Sequence, residues 1–108
     1  MSENHRKELA KRIIKNLLDI HLLRMLQTQP LWGYMIKKKV EANFQIKLRH
    51  SALYPMLNSL EQKGFLTSQI QTKGGRARKV YNITESGRQY LQSYYSILKD
   101  QIRGEDLK

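Results

Sequence analysis

The stretch that decides the fold is TKGGRARKVYNIT, residues 72–84, where cations surround a Gly-Gly pair. Two β-prone runs flank the glycines, FLTSQIQT at residues 65–72 and KVYNIT at residues 79–84. This pattern predicts a β-hairpin with a glycine loop at its tip. Such a hairpin is either an ordinary solvated loop or a basic finger that lies along DNA, and the rest of the chain must distinguish the two.

Helical periodicity accounts for most of the remaining chain. Apolar residues recur at helical spacing in four segments: residues 8–27, 34–43, 51–63 and 85–103. The first has so wide an apolar surface that we expect it to lie at the centre of the core. Gly64 and Gly104 are expected to end the third and fourth helices, and Thr84 to cap the start of the fourth. Pro30 and Gly33 predict a turn.

Composition and charge limit the class of partner. The 108 residues suit one domain, and 20 Lys and Arg against 9 acidic residues give a net charge of +11. This excess favours a polyanion, either nucleic acid or an anionic membrane surface. The absence of cysteine excludes disulfides and thiolate chemistry. No apolar run is long enough to cross a bilayer and no signal peptide is visible, so we expect a cytoplasmic protein.

The sequence offers little that suggests catalysis. His5, His21 and His50 fall in different elements, and none has a second histidine or a carboxylate at metal-ligand spacing. Gly-x-Ser-x-Gly and phosphate-binding glycine loops are absent from the sequence. We therefore expect a protein that is not an enzyme, with no catalytic residue, metal site or cofactor, and we expect His21 to be a core histidine.

Three helices followed by a basic hairpin are the element order of a winged helix-turn-helix, α-α-α-β-β-α, a mainly helical fold with a small β-hairpin. In such a domain the third helix enters the major groove and the hairpin, or wing, follows the DNA backbone. The predicted recognition-helix residues are Lys47, Arg49, His50, Ser51, Tyr54 and Asn58, with Gln62 on the same face. The predicted wing residues are Lys73, Gly74, Gly75, Arg76, Arg78 and Lys79.

The last helix bears on oligomeric state. Its apolar stripe, widened by tyrosines, either covers the domain's own core or forms a homodimer interface. The predicted interface residues are Leu91, Tyr94, Tyr95, Leu98 and Ile102. The predicted organisation is a flexible basic N-terminus at residues 1–8, a winged-helix DNA-binding domain at 9–84, and a dimerisation helix and tail at 85–108. A homodimer predicts an operator with two-fold symmetry, its half-sites about 34 Å apart.

Three motifs carry a resemblance to a known family. PLWGYMIKKKVEANF (residues 30–44), ALYPMLNSLEQKGFL (52–66) and GGRARKVYNITESGRQYL (74–91) together resemble the PadR family of transcriptional regulators, in its compact form with a short C-terminal helix. The resemblance covers about residues 17–98. It implies a dimeric, repressor-like winged-helix protein in which the first and last helices contribute to the dimer. It also implies that Tyr54 contacts the DNA backbone and that Arg76 and Arg78 lie on the wing.

The chain departs from the family pattern at two places. Trp32 stands where the family commonly has histidine, and Arg49, His50 and Ser51 replace the usual Ser-Pro-Gly before the recognition helix. Because some relatives bind planar aromatic compounds at the dimer centre, Trp32 is a possible ligand residue for a small-molecule effector. A tryptophan in the core or at an interface is the alternative.

The prediction is therefore a sequence-specific regulator of transcription, in particular a repressor, that binds double-stranded DNA as a homodimer. Two alternatives remain open. One is a sequence-neutral architectural DNA-binding protein, for which the charge alone suffices. The other is an interaction module whose tyrosine-rich last helix binds a protein partner. A membrane-binding role is disfavoured because the cations are spread over several elements.

Overall fold

The computed structural model describes residues 3–102. The elements are α1 Glu3–Asn16, α2 Leu18–Leu26, β1 Leu31–Trp32, α3 Gly33–Phe44, α4 His50–Gln62, β2 Leu66–Lys73, β3 Arg76–Ile83 and α5 Glu85–Gln101. The strands form one antiparallel sheet in the order β1-β3-β2. The mainly helical fold with a basic hairpin after the third predicted helix is confirmed. The predicted end of the last helix, at Arg103 and Gly104, lies outside the described residues.

The first predicted helix is two helices. The chain breaks at Leu17, whose backbone has φ −124° and ψ 33°. The α2 half is central to the core, as expected, with its buried apolar residues at Leu18, Ile20, Leu22, Leu23 and Leu26. Of α1 only Ile14 is buried, while Leu9 and Ile13 are 51% and 43% exposed. Periodicity predicted the apolar stripe on α1, but it could not predict that Leu9 and Ile13 of this stripe would stay exposed in this chain.

Helix α1 also begins earlier than expected. Residues 3–8 are helical, so α1 begins before the predicted start at residue 8, whereas the flexibility of the N-terminus stays a prediction. Their polar composition keeps them exposed without preventing helix formation. The division of the chain at residues 8 and 84 remains a prediction.

The hairpin is tighter than the sequence indicated. Its strands run through Lys73 and Arg76, so that the predicted loop shrinks to Gly74 and Gly75. These glycines have φ of 60° and 79°, the positive values that a two-residue type I′ turn needs at both positions. The sheet also gains a strand that the sequence did not predict. Where a turn was expected, Leu31–Trp32 pairs with β3.

The predicted cap of the last helix is confirmed. The Thr84 hydroxyl accepts a hydrogen bond from the Gly87 amide at 3.0 Å and donates one to the Gly64 carbonyl at 2.6 Å. Gly64 has φ +80°, as expected for the residue that ends the preceding helix α4. The Thr84 amide donates to the Phe65 carbonyl at 3.1 Å. One threonine thus joins the end of α4, the start of β2 and the start of α5.

Candidate nucleic-acid interface

The turn between α3 and α4 is held by one carboxylate. Glu41 accepts a hydrogen bond from the Leu48 amide at 2.8 Å, and Lys37 lies 3.5 Å from the same oxygen. The Leu48 amide is the main reason that the pKa of Glu41 lies below its ordinary value, with Lys37 adding to it. Gln45, in the left-handed conformation at φ 54°, ends α3 and lets the chain turn. These contacts fix the direction in which α4 leaves α3.

The N-terminus of α4 is a cationic helix end. Arg49 is its N-cap residue and makes no side-chain cap, so the first amides of the helix, at His50 and Ser51, have no cap from Arg49. Lys47, Arg49 and His50 are exposed around them. Uncapped amides, the helix dipole and nearby cations together favour a phosphate group.

Helix α4 separates a buried face from an exposed stripe. Leu53, Leu57 and Leu60 are fully buried in the core. The exposed stripe at helical spacing consists of Ser51, Pro55, Asn58 and Gln62. From the sequence, Pro55 is expected within about the first turn of this helix, where its missing N–H costs little. It is the sixth residue of α4 rather than part of the first turn, and it cannot donate to the Ser51 carbonyl, which leaves that acceptor on the stripe.

Tyr54 lies beside the exposed stripe and not on it. The residue is half-buried, and its ring stacks on His50 with centroids 5.4 Å apart and 7° between planes. A Cβ at Gly33 would come within 2.8 Å of the Tyr54 ring, so Tyr54 fits against the start of α3 because that residue is glycine. The expectation that Tyr54 belongs to the fully exposed face was wrong. Its contact with the DNA backbone stays a prediction.

The strand register collects three wing cations on one face of the hairpin. Lys73 pairs with Arg76, and Gln71 pairs with Arg78. Directly opposed residues in an antiparallel pair share a face, as do alternate residues along a strand. Lys73, Arg76 and Arg78 therefore project from the same side, which is the arrangement a phosphate-binding wing requires.

The fourth predicted wing cation has a different position. Lys79 belongs to the opposite face, where its Nζ lies 3.3 Å from Oε1 of Glu61 on α4, and the Ser68 hydroxyl donates to the same carboxylate. The Ser68 hydrogen bond, then Lys79, lowers the pKa of Glu61, and Glu61 raises the pKa of Lys79. The Glu61 contacts join the hairpin to α4, which the sequence did not predict.

Trp32 lies at the base of the wing. The Arg78 guanidinium carbon is 4.1 Å from the centre of the Trp32 ring, and the Tyr34 ring centre is 5.3 Å from that of Trp32. A surface groove of about 350 Å³ beside it is lined in part by Met35, Lys39 and Val80. The role of Trp32 as a ligand residue remains a prediction.

The residues predicted for the dimer interface differ in how exposed they are. Leu91 is 1% exposed and belongs to the core, so its assignment to an interface was wrong. Tyr94 and Tyr95 are half-buried against that core, and the Tyr95 hydroxyl donates to the Gln27 side chain at 3.1 Å. Leu98 is half-exposed and Ile102 is exposed. The sequence reading missed Ile97, which is 61% exposed on the same helix.

His21 is a core histidine, as predicted. It is 5% exposed and makes an edge contact with Phe44 at 4.8 Å between ring centres. Its Nε2 atom has no hydrogen-bond partner within residues 3–102. Burial, and to a lesser degree Arg24, lowers the pKa of His21 below 6.5, while Asp19 opposes this shift.

We expect His21 to make the fold sensitive to mild acid. Because its folded-state pKa is below the unfolded value of 6.5, its contribution to stability is complete above pH 6.5 and is lost as pH falls towards the folded pKa. The loss has a slope of at most about 1.4 kcal/mol per pH unit. Urea unfolding at several pH values between about 5 and 7.5 measures it. His21→Phe should weaken the dependence of the unfolding free energy on pH, whereas the exposed-residue control His50→Gln should keep it. Equal slopes against pH in all three proteins would show that His21 is not the group responsible.

Comparison with known proteins identifies the family. The model of the transcriptional regulator PadR-like family matches residues 22–93, from α2 into α5. The chain belongs to this family. It is 32% identical over 80 residues to the negative transcriptional regulator PadR of Bacillus subtilis strain 168, covering 71% of this chain and 44% of that protein. The chain thus spans less than half the length of this relative.

Solved structures agree with this assignment. A PadR family transcriptional regulator of Eggerthella lenta superposes with a TM-score of 0.71 and 27% identity, covering 94% of this chain and 90% of that one. The Bacillus subtilis PadR structure in complex with operator DNA superposes with a TM-score of 0.68 and 29% identity, covering 73% of this chain and 45% of that one. These comparisons confirm the winged-helix fold. Between residues 3 and 102, no helix is long and apolar enough to cross a membrane.

The PadR-like motifs correspond to contacts that position the interface. The glycine of Gly33-Tyr34 makes room for the Tyr54 ring, which comes from the Leu-Tyr-Pro motif. The glycine of the Thr-x-x-Gly motif, Gly87, donates to the Thr84 cap and lies against the Phe65 carbonyl. These two glycines therefore allow α3 to pack closely on α4 and α5 to pack closely on the segment that joins α4 to β2.

Proposed function

We propose that this PadR-like protein is a sequence-specific, double-stranded-DNA-binding transcriptional regulator, a cytoplasmic repressor that acts as a homodimer. The observation that carries the proposal is the arrangement of α4 and the wing. One domain carries the exposed stripe of α4, the cationic N-terminus of α4 and the hairpin face with Lys73, Arg76 and Arg78. The operator complex of the Bacillus subtilis relative supports it.

The exposed side chains divide into two roles. Ser51, Asn58 and Gln62 carry short hydrogen-bonding groups without charge, which suit base edges in the major groove. Arg49 and Lys47 at the helix start, with the Lys73, Arg76 and Arg78 face of the wing, suit phosphates. Phosphate contacts supply affinity and register, whereas the α4 stripe supplies sequence preference.

Exposed apolar residues on the terminal helices support the homodimer. Leu9 and Ile13 on α1, Ile97 on α5 and Ile102 just after α5 are each more than 40% exposed. Large apolar side chains exposed on both terminal helices are typical of an interface.

A salt titration of binding tests the proposed function. It compares DNA from upstream of the protein's own gene with a random duplex. If a dimer covers about six to eight phosphates, log K should fall against log salt with a slope of about −5 to −7. A preference of about 10³ or more for one duplex indicates operator recognition. Equal affinity for every duplex tested would favour the architectural alternative, and no binding at physiological salt would favour the protein-interaction module.

A further inference from the structure

Two adjacent aromatic rings lie between two cations in a row that joins α3 to the wing. Lys38 Nζ lies 5.3 Å from the centre of the Tyr34 ring, the Tyr34 and Trp32 ring centres are 5.3 Å apart, and the Arg78 guanidinium lies 4.1 Å above Trp32. Each step is within the range of a favourable cation–π or aromatic contact. The row ends on a wing arginine.

The sheet explains why Trp32 meets Arg78. Trp32 pairs with Val80 and is the last residue of β1, since α3 begins at Gly33. Beyond that pair, β3 therefore has no strand neighbour on its β1 side. Arg78, two residues before Val80, shares its face and lies diagonal to Trp32. The indole ring therefore meets the Arg78 guanidinium just beyond the last β1–β3 pair.

The contact distinguishes Arg78 from Arg76 on the same face of the hairpin. Arg78 is half-buried, whereas Arg76 is exposed and has no aromatic contact within the described part of the chain. Stacking uses the flat face of the guanidinium and leaves its N–H donors in the plane of the group. Those donors remain able to bind a phosphate or a base edge. A long side chain that is ordered beforehand also loses less rotamer freedom on binding.

We propose that Trp32 is a positioning residue for DNA binding, which holds Arg78 of the wing in its DNA-binding conformation before the DNA arrives. This inference rests on the proposed function and deepens it. It gives Trp32 a role through Arg78 and requires neither a small-molecule ligand nor a contact between Trp32 and DNA.

Fluorescence of the free protein tests the contact itself, because Trp32 is the only tryptophan in the chain. Arg78→Ala uncovers the indole ring and removes the adjacent charge, so the emission should shift to longer wavelength. Arg76→Ala, on the same face of the hairpin, is the matched control and should leave the emission unchanged. If Arg78→Ala behaves like Arg76→Ala, the contact is absent in solution and the inference is wrong.

A double-mutant cycle tests the consequence of the Trp32–Arg78 contact for DNA binding. Trp32→Leu should weaken binding to the preferred duplex about three- to fivefold, and Trp32→Phe, which keeps an aromatic face, should weaken it less. In an Arg78→Ala background, Trp32→Leu should cause almost no further loss of affinity for the preferred duplex. In an Arg76→Ala background, it should cause the same loss as in the wild type. A loss of packing alone would weaken binding equally in both backgrounds, and that result would overturn the inference.

The failures of the two proposals differ. If the wild-type protein prefers one duplex but the Trp32 and Arg78 effects are additive, only the positioning role is wrong. If the wild-type protein binds no duplex, the proposed function fails and the positioning role fails with it, whatever the fluorescence shows. Thermal unfolding of Trp32→Phe and Trp32→Leu confirms that each binding measurement is made on folded protein.

Discussion

Replacing Gly87 by alanine is expected to destabilise the protein by about 1–3 kcal/mol, the usual cost of overpacking a buried site. An added Cβ would overlap the Phe65 carbonyl oxygen and would lie 2.8 Å from Ile83 Cγ1. The intrinsic helix propensity of alanine returns about 1 kcal/mol at most. This gain in helix propensity does not remove the overlap, because the Phe65 carbonyl belongs to the backbone and has no alternative rotamer. Relief requires moving α5 away from the start of β2, which also strains the Thr84 cap.

Urea unfolding measures the Gly87 effect as a lower midpoint at an unchanged slope. Ser86→Ala is the matched control, since Ser86 is the neighbouring exposed residue of the same helix turn. That control should stay within about 0.5 kcal/mol of the wild type. A Gly87→Ala protein as stable as the wild type would show that α5 is not packed against Phe65 as described.

Replacing Asn58 by alanine is expected to reduce affinity for the operator about 5- to 100-fold while leaving affinity for random DNA almost unchanged. Asn58 lies in the middle of the exposed α4 stripe, and a carboxamide that binds a base edge in two places carries sequence information. The neutral side chain contributes little to the electrostatic attraction of phosphates. Loss of preference without loss of general affinity therefore identifies a base-reading residue.

Competition binding with operator and random duplexes at one salt concentration measures this effect, and the salt slope should remain the same. The control is Gln89→Ala, a loss of an exposed polar side chain on α5 away from α4 and the wing. If Asn58→Ala weakens both duplexes equally, the residue does not read bases, and preference must come from other parts of the stripe or from DNA shape.

Local patterns in the sequence predicted the elements that depend on neighbouring residues. The apolar spacing of Leu53, Leu57 and Leu60 indicated α4 and its buried face, and Thr84 indicated the start of α5. The Gly74-Gly75 pair indicated a hairpin, because positive φ at both positions suits glycine. These features were predictable because helix periodicity, capping and tight turns act over only a few residues.

Other features depended on partners distant in the chain. Leu91 and Ile97 are both apolar residues of α5, and periodicity could not tell which one the core would bury. Lys79 and Arg78 are adjacent cations, yet the pairing register sends one towards Glu61 and the other towards Trp32. Tyr54 became a packing residue only through Gly33, 21 positions earlier by their numbers.

The sequence by itself determined the winged-helix class, the basic hairpin, the helix α4 with its buried face, and the family resemblance, because each depends on residue spacing, charge or short motifs. Tertiary structure alone decided which wing cations face outward, why Gly87 must be glycine and what Trp32 contacts. Those properties depend on strand register and on packing between elements, where a shift of one residue exchanges the two faces of a strand. The sequence supplies the residues of the proposed DNA-binding surface, and folding selects which of them belong to it.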